Sequence, residues 1–397
     1  MRAGRSDSRP SRRRIAPRRG LLTALLAVSS VATAAGQSPA DGRRPADLED
    51  AIERARALVQ ERLAEGVPAF SVAVGIGGDL VWEQAFGIAD VESGRAATPT
   101  TLFRIGSTSK PIAAAVAARM AQRDDFSLDR PIAELAGGLY PHQPSPSLAQ
   151  LLSHQAGVRH YRGAEYVSRE RYASLAAGLA IFRDDPPLFE PGAGFSYSSY
   201  GFNLAGAVLE QVSGLEFGDL AGREVFEPLA MTHTRIDDPT IWIPERAAFY
   251  VGGSDGPRPA LPVDDSYKAP SGGLLSTAAD LVRFGSAFLA PGFLDEAILD
   301  RVLSPLRTAA GEETGYGLGW RVRAAAETYP RLAVHHGGSS MGGRSMLVVL
   351  PEAGVVVALL CNSGSYESKE ADAFAIAAWF ADLAAAQPSA SAARKPE

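Results

Sequence analysis

Ser107 and Lys110 have the residue types and the spacing that nucleophilic catalysis requires. They lie just before the apolar run 112–118, which predicts a helix, and residues three apart on a helix share one face. Burial disfavours the charged form of a lysine, so a buried Lys110 would offer a neutral amine able to take the Ser107 proton. The pair taken alone also fits a helix cap beside a lysine whose stem packs on apolar surface.

Two later segments carry further candidate site residues. Tyr197 and Ser199 are two positions apart, just before a helix that we predict to begin near Gly201. The third segment, His-His-Gly-Gly at 335–338, follows an apolar run and is predicted to lie at the end of a strand. Its glycines would let a substrate lie close to the backbone.

These three motifs occur in the order and at the separations typical of one family. The chain resembles the serine β-lactamase and penicillin-binding-protein superfamily, particularly its class C-like branch. Further segments resemble the mitochondrial serine β-lactamase-like proteins and their bacterial relatives, namely residues 151–161, 264–268, 271–277 and 316–320. The resemblance covers residues 47–384, which we predict to form the β-lactamase-related hydrolase domain.

The resemblance implies an α+β fold, with a mainly antiparallel sheet flanked by helices and an inserted helical lobe. It implies that Ser107 is the nucleophile, that Lys110 is its base, and that Tyr197 hands protons to the leaving group and helps activate water for deacylation. The backbone N–H of Gly338 would join that of Ser107 in an oxyanion hole. No cofactor is implied. The substrate-binding residues that it implies are Ser199, His335, Gly337 and Gly338.

Two departures from the family pattern bear on the substrate. Ser199 stands where the family usually has Asn, and its shorter side chain would recognise a substrate amide less tightly. His335 stands where true β-lactamases have a lysine, and histidine is mostly neutral at pH 7. His336 then occupies a position where the family often has Thr. An alignment of this motif shifted by one residue also fits the sequence, so both alignments stay open. The departures favour a small-molecule ester or a peptide over penicillin as substrate.

Other kinds of site fit the sequence less well. Residues 252–256 and 338–342 both match the Gly-x-Ser-x-Gly nucleophile elbow, but neither is followed by a predicted helix. The six histidines lack metal-ligand spacing, so no metal site is predicted. The alternative that stays open is a catalytically weak or inactive scaffold or filament-forming protein of the same fold.

The predicted elements explain how distant motifs could meet. They are a helix after residue 47, strands at 70–76 and 80–86, a helical region at 111–229, strands at 332–336, 346–350 and 355–360, and a helix at 370–384. Strands from both chain ends would share one sheet, with the helical lobe between them. Clefts between lobes are common ligand sites, so chemistry is expected at the lobe junction.

Composition and the chain ends set limits on partners and location. With 46% hydrophobic residues and a net charge of -6, a globular protein that does not bind nucleic acid is expected. Residues 1–35 resemble a signal peptide, with no permanent membrane span, followed by a linker at 36–46. This predicts an exported, periplasmic or secreted protein, with mitochondrial import as the alternative. Residues 385–397 are predicted to be a disordered tail, and the oligomeric state stays open.

Overall fold

Both ends of the chain contribute strands to one central sheet. The computed structural model describes residues 45–123, 126–253, 256–326 and 329–385. The strands are β1 (Ala69–Ile76), β2 (Asp79–Asp90), β3 (Arg95–Ala96), β4 (Phe103–Arg104), β5 (Arg235–Ile236), β6 (Tyr250–Val251), β7 (Arg258–Pro259), β8 (Leu274–Ser276), β9 (Arg321–Arg323), β10 (Ala333–Ser340), β11 (Gly343–Leu350) and β12 (Val355–Cys361).

Helices surround this sheet and fill the middle of the chain. They are α1 (Pro45–Ala64), α2 (Ser109–Ala121), α3 (Ile132–Leu135), α4 (Leu148–Leu152), α5 (Leu175–Gly178), α6 (Ser199–Ser213), α7 (Phe217–Ala221), α8 (Ala269–Gly272), α9 (Ala278–Ser286), α10 (Glu296–Leu303) and α11 (Lys369–Ala385). Among the described residues, no helix has the length and apolarity needed to cross a membrane.

The central sheet has the strand order β3-β2-β1-β12-β11-β10-β9, and all its pairs are antiparallel. β1 pairs with β12 from Phe70 to Ile76, which joins the two ends of the chain. The β1–β2 hairpin turns at Gly77 and Gly78, whose positive φ angles favour glycine. The predicted sheet of strands from both ends is therefore confirmed.

Each face of the sheet buries its own layer of helices. In β12, Val355 and Val357 pack with α1 and α11, whereas Val356 and Ala358 face α9 and the helical lobe. Successive side chains of a strand point to opposite faces, so a strand covered on both sides reads as a continuous apolar run. Burying each such valine stabilises the fold by about 1.5–3 kcal/mol.

The predicted helical lobe is present between β4 and β5, where α2 to α7 lie. A small sheet of order β4-β8-β5 connects the chain on either side of this lobe. Its pairing of Phe103 with Ser276 holds the segment before Ser107 beside α8. The fold thus confirms the predicted antiparallel sheet, flanking helices and inserted lobe.

The boundaries at the chain ends differ slightly from the prediction. α1 begins at Pro45, so the last two residues of the predicted linker 36–46 are helical, and α11 ends at Ala385. The predicted signal peptide at 1–35, the rest of that linker and nearly all of the predicted tail lie outside the described residues.

Candidate active site

Ser107 lies in a short 3₁₀ turn, Gly106–Thr108, directly before α2. The sequence predicted that the helix would include Ser107, but α2 begins two residues later. The hydroxyl of Thr108 is used elsewhere: it donates to the His336 carbonyl at 3.2 Å and lies 2.8 Å from the Ser345 hydroxyl. These bonds attach the Gly106–Thr108 turn to β10 and β11.

Two glycines allow β10 to press against this turn. Gly106 has φ +50, and a Cβ there would lie 2.8 Å from the backbone of Ser339. A Cβ on Gly338 would lie 1.8 Å from the Ile105 carbonyl oxygen. Gly338 therefore packs behind the turn, and Ser339 lines the cleft beside Ser107. This placement favours the alternative register of the third motif that the sequence left open, with Ser339 rather than Gly338 beside Ser107.

Lys110 is fully buried and has three oxygen partners. Its Nζ lies 3.1 Å from Ser107 Oγ, 3.0 Å from Ser199 Oγ and 2.8 Å from the Ser271 carbonyl oxygen. A neutral amine has two N–H donors and one lone pair. The carbonyl can only accept one N–H, the Ser199 hydroxyl can accept the other, and the lone pair then remains for the Ser107 proton.

The surroundings of Lys110 favour this neutral form. Burial lowers its pKa well below the ordinary value, with further lowering by the charges of Arg321 and Lys268. Its three hydrogen-bond partners are neutral oxygen atoms. Lys110 also lies at the N-terminal end of α2, and Ser199 is the first residue of α6, where helix dipoles disfavour a cation. Burial, the nearby positive charges and the helix dipoles thus all act in the same direction, toward the neutral amine.

Tyr197 packs beside Lys110 and near His336 of β10, with its ring centroid 6.4 Å from that of His336. Lys110 Nζ lies 5.0 Å from the centre of the Tyr197 ring. Burial raises the pKa of Tyr197 to about 12, against smaller opposing effects of a hydrogen-bond interaction with Ser107 and the charge of Arg321. The phenol therefore keeps its proton at neutral pH and can relay protons rather than act as a fixed anion.

Two histidines, His154 and His160, hold the loop that carries Tyr197. His154 accepts the Ser198 N–H on Nδ1 at 3.0 Å, and its own carbonyl accepts the Ser196 N–H at 3.0 Å. Its ring lies 4.3 Å from the Tyr197 ring between centroids. His160 accepts the Ser199 N–H at 3.1 Å. The backbone on both sides of Tyr197 is therefore attached to one loop.

His154 adopts a conformation that is costly for a residue with a side chain, since its φ is 63°. We expect His154→Ala to lower kcat by about 10- to 100-fold with less than about threefold change in KM, because Tyr197 loses its lateral support. His154→Asn should restore part of the loss, since Asn tolerates this conformation and keeps an acceptor. Steady-state kinetics of the two variants measure this. An equal fall of kcat in His154→Ala and His154→Asn would contradict the expected role of His154.

The strand register decides which histidine of β10 faces the site. His335 pairs with Val348, which packs on the α1 and α11 side, and its ring lies 5.2 Å from that of Phe374. His336 pairs with Leu347 on the opposite face. The sequence predicted His335 as a substrate-binding residue, but its side chain lies on the face of the sheet turned away from Ser107, because adjacent strand residues point to opposite faces. Gly337 shares the face of His335.

His336 faces the site as an uncharged group. Its Nδ1 donates to the Gly337 carbonyl at 2.9 Å, so Nε2 accepts from the Tyr316 hydroxyl at 2.9 Å. Burial lowers the pKa of His336 well below its ordinary value, and the charges of Lys110 and Arg321 lower it further. The β10 side chain that faces the site therefore provides no positive charge.

A cleft of about 370 Å³ opens directly above Ser107. Ser199, in the place of the family's Asn, lines it but is almost fully buried and contacts Lys110. The lining residues are Ser107, His160, Tyr161, Gly163, Tyr166, Ser199, Lys268, Ser271, Gly272, Ser339 and Ser340. Among the described residues, no group of three or more His, Cys, Asp or Glu side chains could hold a metal ion.

Some of these residues were missed as site residues, although their segments had been noted. Tyr161, Lys268 and Ser271 lie in three of the segments that carried the family resemblance. Ser271 contacts Lys110 through its backbone carbonyl, which side-chain patterns cannot reveal. Arg321 directly follows a fourth such segment, and its Cζ lies 5.4 Å from the Tyr197 ring centre.

The fold and this serine–lysine–tyrosine site are those of a β-lactamase/penicillin-binding-protein-like structure. The β-lactamase family model matches residues 55–378, and the chain belongs to this family, whose members are serine hydrolases. The human mitochondrial serine β-lactamase-like protein LACTB is 26% identical over 79% of this chain and 77% of its own sequence.

Two further comparisons extend the range of relatives. Esterase EstB of Burkholderia gladioli is 28% identical and covers 67% of this chain and 78% of its own length. The octameric penicillin-binding protein homologue from Pyrococcus abyssi superposes with a TM-score of 0.71 at 24% identity, covering 82% of this chain and 77% of that one. This last similarity supports the fold alone.

Proposed function

We propose that this chain hydrolyses esters or peptide bonds through an acyl-enzyme on Ser107. The observation that carries the proposal is the contact of Ser107 Oγ with the buried Lys110 amine at 3.1 Å. A lysine whose partners are neutral oxygens has no ion-pair role, whereas a serine beside a neutral amine is an activated nucleophile. Esterase activity is named for one relative, which supports the substrate class.

The proposed acylation uses the geometry directly. Lys110 takes the Ser107 proton as Oγ attacks the substrate carbonyl, and the backbone N–H groups of Ser107 and Ser339 stabilise the developing oxyanion. Tyr197 then passes its proton to the leaving group as the bond from that group to the acyl carbon breaks, and it recovers a proton from the protonated Lys110, which becomes neutral again. In deacylation a water molecule attacks the acyl carbon while Tyr197 helps to pass the proton of this water to Lys110. Lys110 returns this proton to Ser107 Oγ as the acyl–oxygen bond breaks, which releases the acid and restores both residues.

Dedicated penicillin hydrolysis is the weaker proposal. His336 faces the site as a neutral side chain, and Ser199 is occupied by its contact with Lys110. We therefore place esters and peptides ahead of β-lactams. Export is proposed from the N-terminal pattern, with mitochondrial location as the alternative that the human relative supports.

Intact-protein mass spectrometry tests the proposal. The wild-type protein is incubated with a fluorophosphonate, an activated ester, a penicillin and a D-alanyl peptide, beside Ser107→Ala and Ser109→Ala. The hydroxyl of Ser109 is buried and has no hydrogen-bond partner among the described residues, so its removal is a matched control. We expect a covalent adduct or turnover in the wild type and Ser109→Ala, and complete loss in Ser107→Ala.

The scaffold alternative makes the opposite prediction. If the protein is an inactive scaffold, none of the four reagents should form an adduct with it. Long polymers should then be visible by negative-stain electron microscopy. Labelling of Ser107→Ala at the wild-type level would also overturn the proposed nucleophile.

A further inference from the structure

Lys268 is a buried lysine at the cleft that has no part in the proposed reaction. It lines the cleft, and its Nζ lies 2.9 Å from a carboxylate oxygen of the buried Asp265. Burying two charges costs desolvation free energy that their attraction only partly offsets, so a buried ion pair is weak evidence for a gain in stability. The position of this pair, rather than its net stabilisation, indicates its role.

Lys268 and its neighbour Tyr267 hold one stretch of the cleft lining. Lys268 Nζ donates to the Tyr166 carbonyl at 2.7 Å, and the Tyr267 hydroxyl donates to the Glu165 carbonyl at 2.7 Å. Two adjacent side chains thus bind two adjacent carbonyls of the segment 160–166. This segment contributes four residues to the cleft lining, namely His160, Tyr161, Gly163 and Tyr166.

A second stretch of the cleft lining is the short helix α8, which begins directly after Lys268. The Lys268 carbonyl accepts the N–H groups of Ser271 and Gly272 at 3.0 and 2.9 Å, so it forms the first turn of this helix. Ser271 in turn places its carbonyl oxygen 2.8 Å from Lys110 Nζ. Lys268 therefore joins the segment 160–166 to the helix that orients the proposed base.

Lys268 also carries one of the positive charges that act on Lys110. Burial has the largest effect on the pKa of Lys110, and the charges of Arg321 and Lys268 lower that pKa further. The carboxylate of Asp265 opposes the charge of Lys268. The pair as a whole therefore presents little net charge to the proposed base, and removal of either partner would change the field at Lys110.

The other titratable groups around the site do not balance the charge of Lys268. The carboxylate of Glu165 is paired with Arg159 at 2.7 Å. Burial keeps the nearby rings neutral at pH 7, because it raises the pKa of the tyrosines and lowers the pKa of the histidines. These rings belong to His154, His160, Tyr161, Tyr197 and His336.

We propose that Lys268, held by Asp265, is a positioning residue that joins two stretches of the cleft lining and sets the charge that the proposed base experiences. The inference rests on the proposed hydrolysis at Ser107. Lys268 acts through Lys110 and through the backbone of Tyr166, without contact with the reacting atoms.

The pH profile of kcat/KM with p-nitrophenyl acetate tests the charge. Asp265→Asn leaves the positive charge of Lys268 unopposed, so the pKa of Lys110 falls and the acid limb should move to lower pH. Lys268→Met leaves the carboxylate instead, so the limb should move to higher pH. We expect opposite shifts of about 0.5 to 1 pH unit, the scale of one charge acting through a partly screened interior. Lys268→Arg keeps the charge and should keep the wild-type limb.

Steady-state constants test the join between the two stretches. In Lys268→Met the segment 160–166 loses the bond to the Tyr166 carbonyl. We expect KM to rise about three- to tenfold for p-nitrophenyl phenylacetate, whose ring is large enough to reach this segment. For p-nitrophenyl acetate, KM should change less than about twofold, because the methyl group is too small to depend on the shape of the segment.

Asp372→Asn is the matched control for the loss of a buried ion pair. Asp372 is a buried carboxylate paired with Arg62 at 2.7 Å, but it joins α11 to α1 on the other side of the central sheet. Its loss should lower the urea midpoint while the acid limb and both KM values stay as in wild type. If Lys268→Met does not fold, the double variant Asp265→Asn/Lys268→Met leaves no unpaired charge. It should keep the wild-type acid limb and show the raised KM.

The possible failures are distinguishable. Acid limbs that move in the same direction in Asp265→Asn and Lys268→Met, or an equal shift in Asp372→Asn, overturn the proposal while hydrolysis at Ser107 stands. Equal changes of KM for the two esters also overturn it. If wild type hydrolyses neither ester and a fluorophosphonate does not label Ser107, the proposed function fails and the role of Lys268 with it.

Discussion

Replacing Lys110 with methionine is expected to lower kcat/KM by at least about 10³-fold while the protein stays folded. Methionine has a similar length but no lone pair that could take the Ser107 proton. Lys110→Arg should be equally inactive, because a guanidinium stays protonated in proteins. Ester hydrolysis and fluorophosphonate labelling rates measure both variants.

The pH dependence of activity follows from the lowered pKa of Lys110. Only the neutral amine can accept the Ser107 proton, so kcat/KM should rise as the pH rises through that pKa. Because burial places it well below the ordinary value of 10.5, the acid limb of the profile should end well before pH 10.5. A wild-type profile that begins to rise only near pH 10 would contradict a neutral lysine.

Stability provides an independent measurement on the same residue. Between the lowered pKa of Lys110 and 10.5, the unfolded chain binds a proton that the folded protein does not. The free energy of unfolding of wild type should therefore rise with pH in that interval, by at most about 1.4 kcal/mol per pH unit from this group. Urea unfolding at several pH values should show that this contribution is missing in Lys110→Met.

Replacing Tyr197 with phenylalanine is expected to lower kcat by about 10²- to 10³-fold. The ring, and with it the contacts to His154 and Arg321, is retained, so only the proton relay is lost. With an activated ester, whose leaving group needs little protonation, deacylation should slow more than acylation. The acyl-enzyme should then accumulate and be visible by intact-protein mass spectrometry.

Tyr200→Phe is the matched control for Tyr197→Phe. Tyr200 is buried three residues further along the chain, and its hydroxyl donates to Glu165 at 2.9 Å rather than contacting Ser107. Its loss should reduce stability by about 1 kcal/mol and leave the deacylation rate within about threefold. An acyl-enzyme that accumulates equally in both variants would argue against a special role for Tyr197.

Local sequence patterns predicted the elements and the central pair of the site. The Ser107–Lys110 spacing works because three residues span almost one helical turn, even though Ser107 lies in the 3₁₀ turn before α2. The apolar runs near the C-terminus predicted three strands, which are β10, β11 and β12. Periodicity and spacing depend on neighbours along the chain, so sequence alone could determine them.

The placements that the sequence left undetermined depend on contacts between distant segments. Whether His335 or His336 faces Ser107 is decided by the pairing of β10 with β11, and a shift of one residue exchanges the two faces. The close approach of Gly338 to Ile105 displaces the cleft lining to Ser339 in the same way. A motif match tolerates such a one-residue shift, whereas a packed sheet does not.

By itself, the sequence determined the α+β class, the order of the elements, and the serine, lysine and tyrosine at the centre of the site. Only the tertiary structure decided that Lys110 is buried among neutral oxygens. It also decided how His154 contacts Tyr197 and where the charges of Arg321 and Lys268 lie. Burial and the positions of charges arise when segments far apart in the chain pack together. Their effect on protonation therefore cannot be read from spacing along the chain.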